Sequence, residues 1–274
     1  MAEIKTVTGT AFVVAEFRAD ENREAEPLYR DEIVRFFLDE HTKKAAERFS
    51  APFPPIQELV KLRTRYFDDL LDERIRQGVR QVVLLGAGLD TRSVRKRAPG
   101  VTYFEIDDAG TLELKRARLE ANRIAVEARL VPGDYVSDEL TVLLEGGGFD
   151  FALPTHFIWE GNTMYLAEDA VRRVMKAIAG HVAQFTLAFD YMTPEVIAKS
   201  TNDSGVTDVV ERFAAMGAPW IFGIGDLPGL AREVGMSVVE TQKTADLYRA
   251  YRPQGGSDSV LYDYYFLCSL EPAR

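Results

Sequence analysis

The residues best suited to chemistry begin in 82–92, VVLLGAGLDTR. Gly86 and Gly88, one residue apart, let the backbone turn sharply and approach a ligand with no Cβ in the way. A loop built for a pyrophosphate reads G-x-G-x-x-G, the third glycine permitting close helix–strand packing. Here Thr91 takes that place, and Asp90 adds a charge that would repel phosphate. A carboxylate beside open backbone amides suits a ligand with a cationic amine or sulfonium and no phosphate; S-adenosylmethionine is such a ligand. A second acidic element, Tyr103-Phe104-Glu105-Ile106-Asp107, follows Gly86 by about twenty residues. At that spacing a strand-end carboxylate reaches the hydroxyls of an adenosine ribose. Period-two alternation puts Glu105 and Asp107 on the same side, so either could do it.

These groups need a scaffold that presents strand ends at one edge. The run 82–85 is wholly apolar, as in a strand covered on both faces. Beyond it, strands are expected at 102–106, 129–131, 149–158 and 183–189, with helices at 111–123, 137–144 and 168–179. That alternation predicts an α/β fold with a doubly wound, mostly parallel sheet. Residues 1–80 read as a helical N-terminal cap, with helices over 10–18, 32–49 and 56–75 and a proline-rich break at 50–55. The cofactor-binding core spans 81–192. Residues 193–230, rich in proline and glycine around a short helix, read as a lid inserted over the carboxyl edge of the sheet. Two late strands, 237–241 and 262–270, joined across the loop 251–259, are expected as an antiparallel hairpin at the sheet edge within 231–274. All 274 residues are read as one domain.

Composition narrows the function. The chain is 46% hydrophobic and 28% charged, as in a globular protein with a sizeable core. Its net charge of −10 argues against nucleic acid and anionic membrane as partners. The single cysteine, Cys268, excludes an intrachain disulfide, fits a reducing compartment, and lies in an apolar run that reads as core. No apolar run approaches the ~18 residues of a membrane span, and no signal core follows the N-terminus, so a cytoplasmic protein is expected. Three histidines and one cysteine, with no H-x-x-x-H or C-x-x-C spacing, argue against a zinc site, and no metal is expected.

Together RTRYFDD (63–69), QVVLLGAGLDTR (81–92), YFEID (103–107) and FIWEGNTMYLAEDAV (157–171) resemble the class I S-adenosylmethionine-dependent methyltransferases. The similarity is closest to the leucine carboxyl methyltransferase-like family, in its bacterial small-molecule O-methyltransferase branch. The resemblance implies a seven-stranded Rossmann-like sheet and S-adenosyl-L-methionine as cofactor. It implies Arg63 as partner of the methionyl carboxylate, a task that suits a planar guanidinium, with Arg65 in competition. Gly86 and Gly88 would face the methionyl and ribose portions. Asp90 would sit near the amine or hold the turn. Asp107 would bind the ribose, ahead of Glu105; Asp134 and the Tyr135 backbone would bind the adenine, and Glu160 would lie near the cofactor amine. Asn162 and Thr163 stand where more apolar residues are expected, which implies a more polar floor for the acceptor site.

Two candidates touch the acceptor. Tyr165, within the family's E-x-x-x-x-Y spacing, would hydrogen-bond it from the active-site wall. His156 is the one histidine near the end of the fourth predicted strand, and so the candidate base for a phenolic acceptor; a carboxylate is ionised at neutral pH and needs none. Arg92 either orients an anionic acceptor or braces Asp90. The expected reaction is O-methylation of a carboxylate or phenol of a small metabolite, with Phe213, Trp220, Phe222, Tyr248 and Tyr251 suited to a flat or apolar acceptor. A monomer or homodimer is expected. Methylation of a protein C-terminus is the alternative. A nicotinamide-dependent oxidoreductase and a non-catalytic cofactor-binding protein are the more distant readings.

Overall fold

The structure, a computed structural model, describes residues 7–255 and 259–273, with the side chains of 7–9 left out of account. The chain opens with α1 (Val7–Glu21), α2 (Glu40–Ser50) and α3 (Pro55–Arg76). It continues as β1 (Gln81–Leu85), α4 (Arg92–Arg95), β2 (Thr102–Asp107), α5 (Ala109–Ala121), β3 (Arg129–Pro132), α6 (Leu140–Gly146), β4 (Thr155–Trp159), α7 (Glu168–His181) and β5 (Phe185–Met192). Then come α8 (Pro194–Ile197), α9 (Ser204–Ala215), α10 (Leu227–Glu233), β6 (Met236–Lys243), α11 (Thr244–Tyr251), α12 (Leu261–Tyr264) and β7 (Tyr265–Pro272).

The seven strands form one sheet in the order β3-β2-β1-β4-β5-β7-β6, the doubly wound α/β architecture expected. The first five are parallel, and β7 runs antiparallel to both β5 and β6. All five residues of β1 are buried, as the unbroken apolar run requires of a central strand. Alternate side chains serve opposite layers. Val83, Leu85, Phe104 and Trp159 pack with Val171 and Val174 of α7, while Val82, Leu84 and Tyr103 pack with Phe67, Leu70 and Leu71 of α3. A separate apolar cluster joins α1, α2 and α3 to α9 and Trp220, above the sheet.

The α-helix expected over 32–49 is shorter. Asp31 accepts from the Val34 amide at 3.1 Å, and a one-turn 3-10 helix, Val34–Phe37, follows. Asp39 and Thr42 then start α2 afresh with a capping box. The fourth strand starts at Thr155 rather than 149, because Phe149 and Phe151 are used in an aromatic contact, 5.0 Å between centroids, ahead of Pro154. β6 and β7 do pair antiparallel, but α11 and α12 lie between them in sequence and β7 enters between β5 and β6. Residues 256–258 of the expected 251–259 loop lie outside the described residues.

Candidate active site

The carboxyl ends of β1, β2 and β4 open into a cavity of about 780 Å³. Gly86 and Gly88 both have positive φ, 64° and 48°, where a side chain is strained. A Cβ on Gly86 would also lie 2.5 Å from Asn162 Oδ1. Asn162 Nδ2 donates to the Glu160 carbonyl at 2.7 Å and to the Leu85 carbonyl at 3.3 Å, tying the ends of β1 and β4 together. Asp107 ends β2 at the glycine loop. Its Oδ2 accepts from the Gly88 amide at 2.6 Å and its Oδ1 from the Asp108 amide at 2.7 Å, while burial raises its carboxyl above the usual range. Glu105 does not line the cavity: deeper in the sheet, it pairs with buried Lys115 at 2.6 Å and accepts from Ser93.

Arg63 sits on the buried stripe of α3, between Leu59 and Phe67. A charge there needs partners. Its Nε donates to Glu160 at 2.9 Å, and its Nη1 to Asp190 at 3.1 Å and to the Tyr265 hydroxyl at 3.0 Å. Tyr265 also donates to Asp190, whose other oxygen accepts from the Gly161 amide at 2.6 Å. The Nη2 of Arg63 makes no hydrogen bond among the described residues, and the residue lines the cavity. It has room because residue 161 is glycine; a Cβ there would stand 3.0 Å from Nη2. Arg65 turns away, to Asp69 at 2.7 Å and the Leu28 carbonyl at 2.6 Å.

Glu160 lines the cavity with both oxygens engaged, Oε2 accepting from Arg92 Nη1 at 2.6 Å. Arg92 is buried and also holds Asp68 at 2.8 Å and Asp90. Burial alone would raise the Asp90 carboxyl, but Arg92 and the neighbouring cations hold it below the usual carboxylate range. Arg92 thus braces Asp90 and Glu160 and does not line the cavity. Asp134 and Tyr135 border its far side. Asp134 accepts from the Val136 amide and Ser137 hydroxyl of its own turn, and the Tyr135 hydroxyl accepts from Trp159 Nε1 at 3.0 Å.

His156 is not brought to the cavity. It is wholly buried within β4, its Nδ1 2.7 Å from Thr186 Oγ1, and burial lowers its pKa to about 3. It is the second residue of β4, three positions short of the strand's carboxyl end. Tyr165 does line the cavity, and burial pushes its phenol up to about 12. Asn162 lines the cavity with its amide tied to the Glu160 and Leu85 carbonyls, whereas Thr163 does not line it and donates its Oγ1 to the Asp190 carbonyl at 2.6 Å. Asp190 and Tyr265 went unnoticed in the sequence. The available signal was an aspartate inside the apolar run 185–192, which demands a buried partner.

Beyond Tyr165 the cavity changes character. Phe17, Phe49, Val60, Met164, Phe213 and Trp220 line it, from the N-terminal helices, the turn after β4 and the 193–230 segment.

The fold and this strand-end site define a Rossmann-like methyltransferase. A family model described as leucine carboxyl methyltransferase matches residues 11–179. The chain belongs to that family. A Streptomyces coelicolor protein, provisionally named an S-adenosyl-L-methionine-dependent methyltransferase, is 31% identical over 243 residues, covering 81% of this chain and 80% of its own length. A Mycolicibacterium smegmatis protein with the same provisional name is 37% identical over 191 residues, 64% of this chain and 60% of its own. Among solved structures, a Streptomyces avermitilis DUF574 family protein superposes with a TM-score of 0.63 at 14% identity, covering 97% of both chains. Magnesium protoporphyrin IX methyltransferase of Synechocystis with bound S-adenosylmethionine gives 0.51 at 10% identity, covering 89% of this chain and 99% of that one. Among the described residues no helix is long and apolar enough to cross a membrane, and no cluster could hold a metal ion.

Proposed function

We propose that the protein is an S-adenosylmethionine-dependent O-methyltransferase that acts on a carboxylate or phenolic hydroxyl of a small-molecule acceptor. The observation that carries this reading is a polar trough opening into an apolar chamber. The trough has a cation with a free guanidinium edge, Arg63, at one end and a half-buried carboxylate, Asp107, at the other, with a glycine loop between them.

That trough fits the donor. Arg63 Nη2 is placed for a methionyl carboxylate, Asp107 has lone pairs left over for two ribose hydroxyls, and Asp134 and Tyr135 border the place for an adenine. Glu160 and Asp90 add negative charge for an amine. When bound, S-adenosylmethionine supplies a methyl group on a sulfonium: the acceptor oxygen forms the new bond to carbon, and the broken sulfur–carbon pair stays on sulfur. The protein aligns the two and excludes water, and alignment alone can contribute roughly 7–11 kcal/mol. Tyr165 keeps its proton at neutral pH and is assigned to donate to the acceptor. With His156 out of reach, a carboxylate acceptor arrives already ionised and a phenol loses its proton to solvent.

The test is S-adenosylhomocysteine binding by calorimetry together with transfer of a labelled methyl group to a panel of carboxylic acids and phenols. Binding with transfer to at least one is expected. Absent binding, or a melting temperature raised by NADH instead, would overturn the donor assignment; binding with no transfer would favour a non-catalytic role.

A further inference from the structure

The apolar chamber restricts what can be methylated. Its wall is an aromatic cluster centred on Phe213, which stacks on Trp220 with centroids 4.5 Å apart, meets Phe49 edge-on at 4.9 Å and lies 6.4 Å from Tyr165. The charged side chains that line the cavity are tied to its other end. Arg18 donates to the Leu89 carbonyl of the glycine loop, Arg63 holds Glu160, and Asp107 holds Gly88. Asp90, Asp108 and Asp134 belong to the loops after β1, β2 and β3. Among the described residues, no charged side chain of α2 or of 193–230, which carry Phe49, Phe213 and Trp220, lines the cavity; the cation that acts on Tyr165, Arg63, is already held by Glu160 and Asp190.

We infer that the acceptor is a molecule with an uncharged, ring-bearing body whose reacting oxygen is its only ionic group. The inference rests on the donor occupying the glycine-loop end, which leaves the aromatic chamber to the acceptor. A ring gains from offset or edge-on packing against Phe213 and Trp220. The same wall rejects a second charge, because a desolvated ion without a partner costs several kcal/mol, more than ring packing returns. Selectivity thus comes from the lack of a charged partner for the ring among the described residues of the chamber. Phe213 sets it, since it alone touches the three other rings.

Three ligands isolate this property: phenylacetate, its 4-nitro derivative and its 4-carboxy derivative, the last two alike in shape and different in charge. Their binding to the full chain is measured by calorimetry with and without S-adenosylhomocysteine. The expected result is that phenylacetate and 4-nitrophenylacetate bind and 4-carboxyphenylacetate binds at least 100-fold more weakly. Equal affinity for the nitro and carboxy compounds, or no binding of any of the three, overturns the inference. If the ring selectivity holds but S-adenosylhomocysteine does not bind, the donor assignment fails and the chamber's selectivity stands. Phe213→Leu is expected to weaken phenylacetate at least tenfold with S-adenosylhomocysteine affinity within twofold of wild type. Unchanged phenylacetate affinity would remove Phe213 as the determinant. If that variant does not fold, the nitro–carboxy comparison on the unaltered protein decides.

Discussion

Replacing Asp107 by Asn changes one atom's chemistry at the ribose end of the proposed donor site. In the structure each carboxylate oxygen accepts one backbone amide, Gly88 on Oδ2 and Asp108 on Oδ1. An asparagine keeps the shape but turns one acceptor into an NH2 group, which then faces one of those N–H donors. Only one oxygen is left for the ribose, and it no longer carries charge. Hydrogen bonds to a charged group contribute about 1.5–3 kcal/mol each. Losing one corresponds to a roughly 10- to 150-fold rise in dissociation constant. Calorimetry with S-adenosylhomocysteine, run beside a thermal melt, reads this directly. An affinity within twofold of wild type in a folded variant would refute the ribose assignment. The same geometry predicts a pH effect. Burial raises the Asp107 carboxyl, so the free protein protonates there at a pH above that of an ordinary aspartate. Donor affinity should fall on acidification through that raised value, and Asp107→Asn should flatten the dependence.

Other substitutions probe the remaining assignments. Arg63→Lys should weaken S-adenosylhomocysteine at least tenfold and Arg65→Lys should leave it unchanged; the reverse order, read by calorimetry, would move the carboxylate contact to Arg65. Gly86→Ala should abolish donor binding, since its Cβ would strike Asn162 in a positive-φ turn; retained affinity would count against the close approach. His156→Leu should preserve methyl transfer and alter only stability. The native His156 pKa, about 3, lies below the unfolded value near 6.5, so its contribution is present above pH 6.5 and is lost as pH falls towards 3. The loss is about 1.4 kcal/mol between pH 7.5 and 5.5, measurable from denaturant midpoints, and it should vanish in the variant. Because no side-chain base is assigned at the acceptor, the rate with a phenol should track the phenol's own ionisation; a bell-shaped profile with an independent pKa near 7 would contradict that.

The glycine loop and Asp107 were legible because a parallel strand buried on both faces leaves an apolar run that ends abruptly in turn residues. Spacing then located the next carboxylate. The same logic could not separate Glu105 from Asp107, since alternation assigns a side of the strand but not a depth, and depth decides which carboxylate meets Lys115 and which meets the cavity. Arg63 was legible only by resemblance, and its choice over Arg65 needed the helix phase, which puts residue 63 on the buried stripe of α3. The register of β4 decided His156 in a similar way. Asp190 and Tyr265 were harder for another reason: an aspartate inside the apolar run 185–192 signals that a buried partner exists, but nothing local in the sequence says that the partners are Arg63 of α3 and Tyr265 of β7. The break in the expected 32–49 helix came from Asp39 and Thr42, which form a helix start recognisable in retrospect.

Placing β7 between β5 and β6 has a consequence for how this protein is made. Arg63 is held by Tyr265, 202 residues further along the chain, and Tyr265 also fixes Asp190. During synthesis α3 and the first five strands emerge well before the strand that completes the guanidinium's surroundings. Until β7 slots in, β6 has no neighbour to pair with and Asp190 lacks its hydroxyl partner. Such non-local pairing comes late in folding. A nascent chain that lacks β7 therefore carries the glycine loop without a finished donor site. On the proposed assignment, affinity for the donor depends on β7 having paired, and the ligand stabilises only chains in which it has.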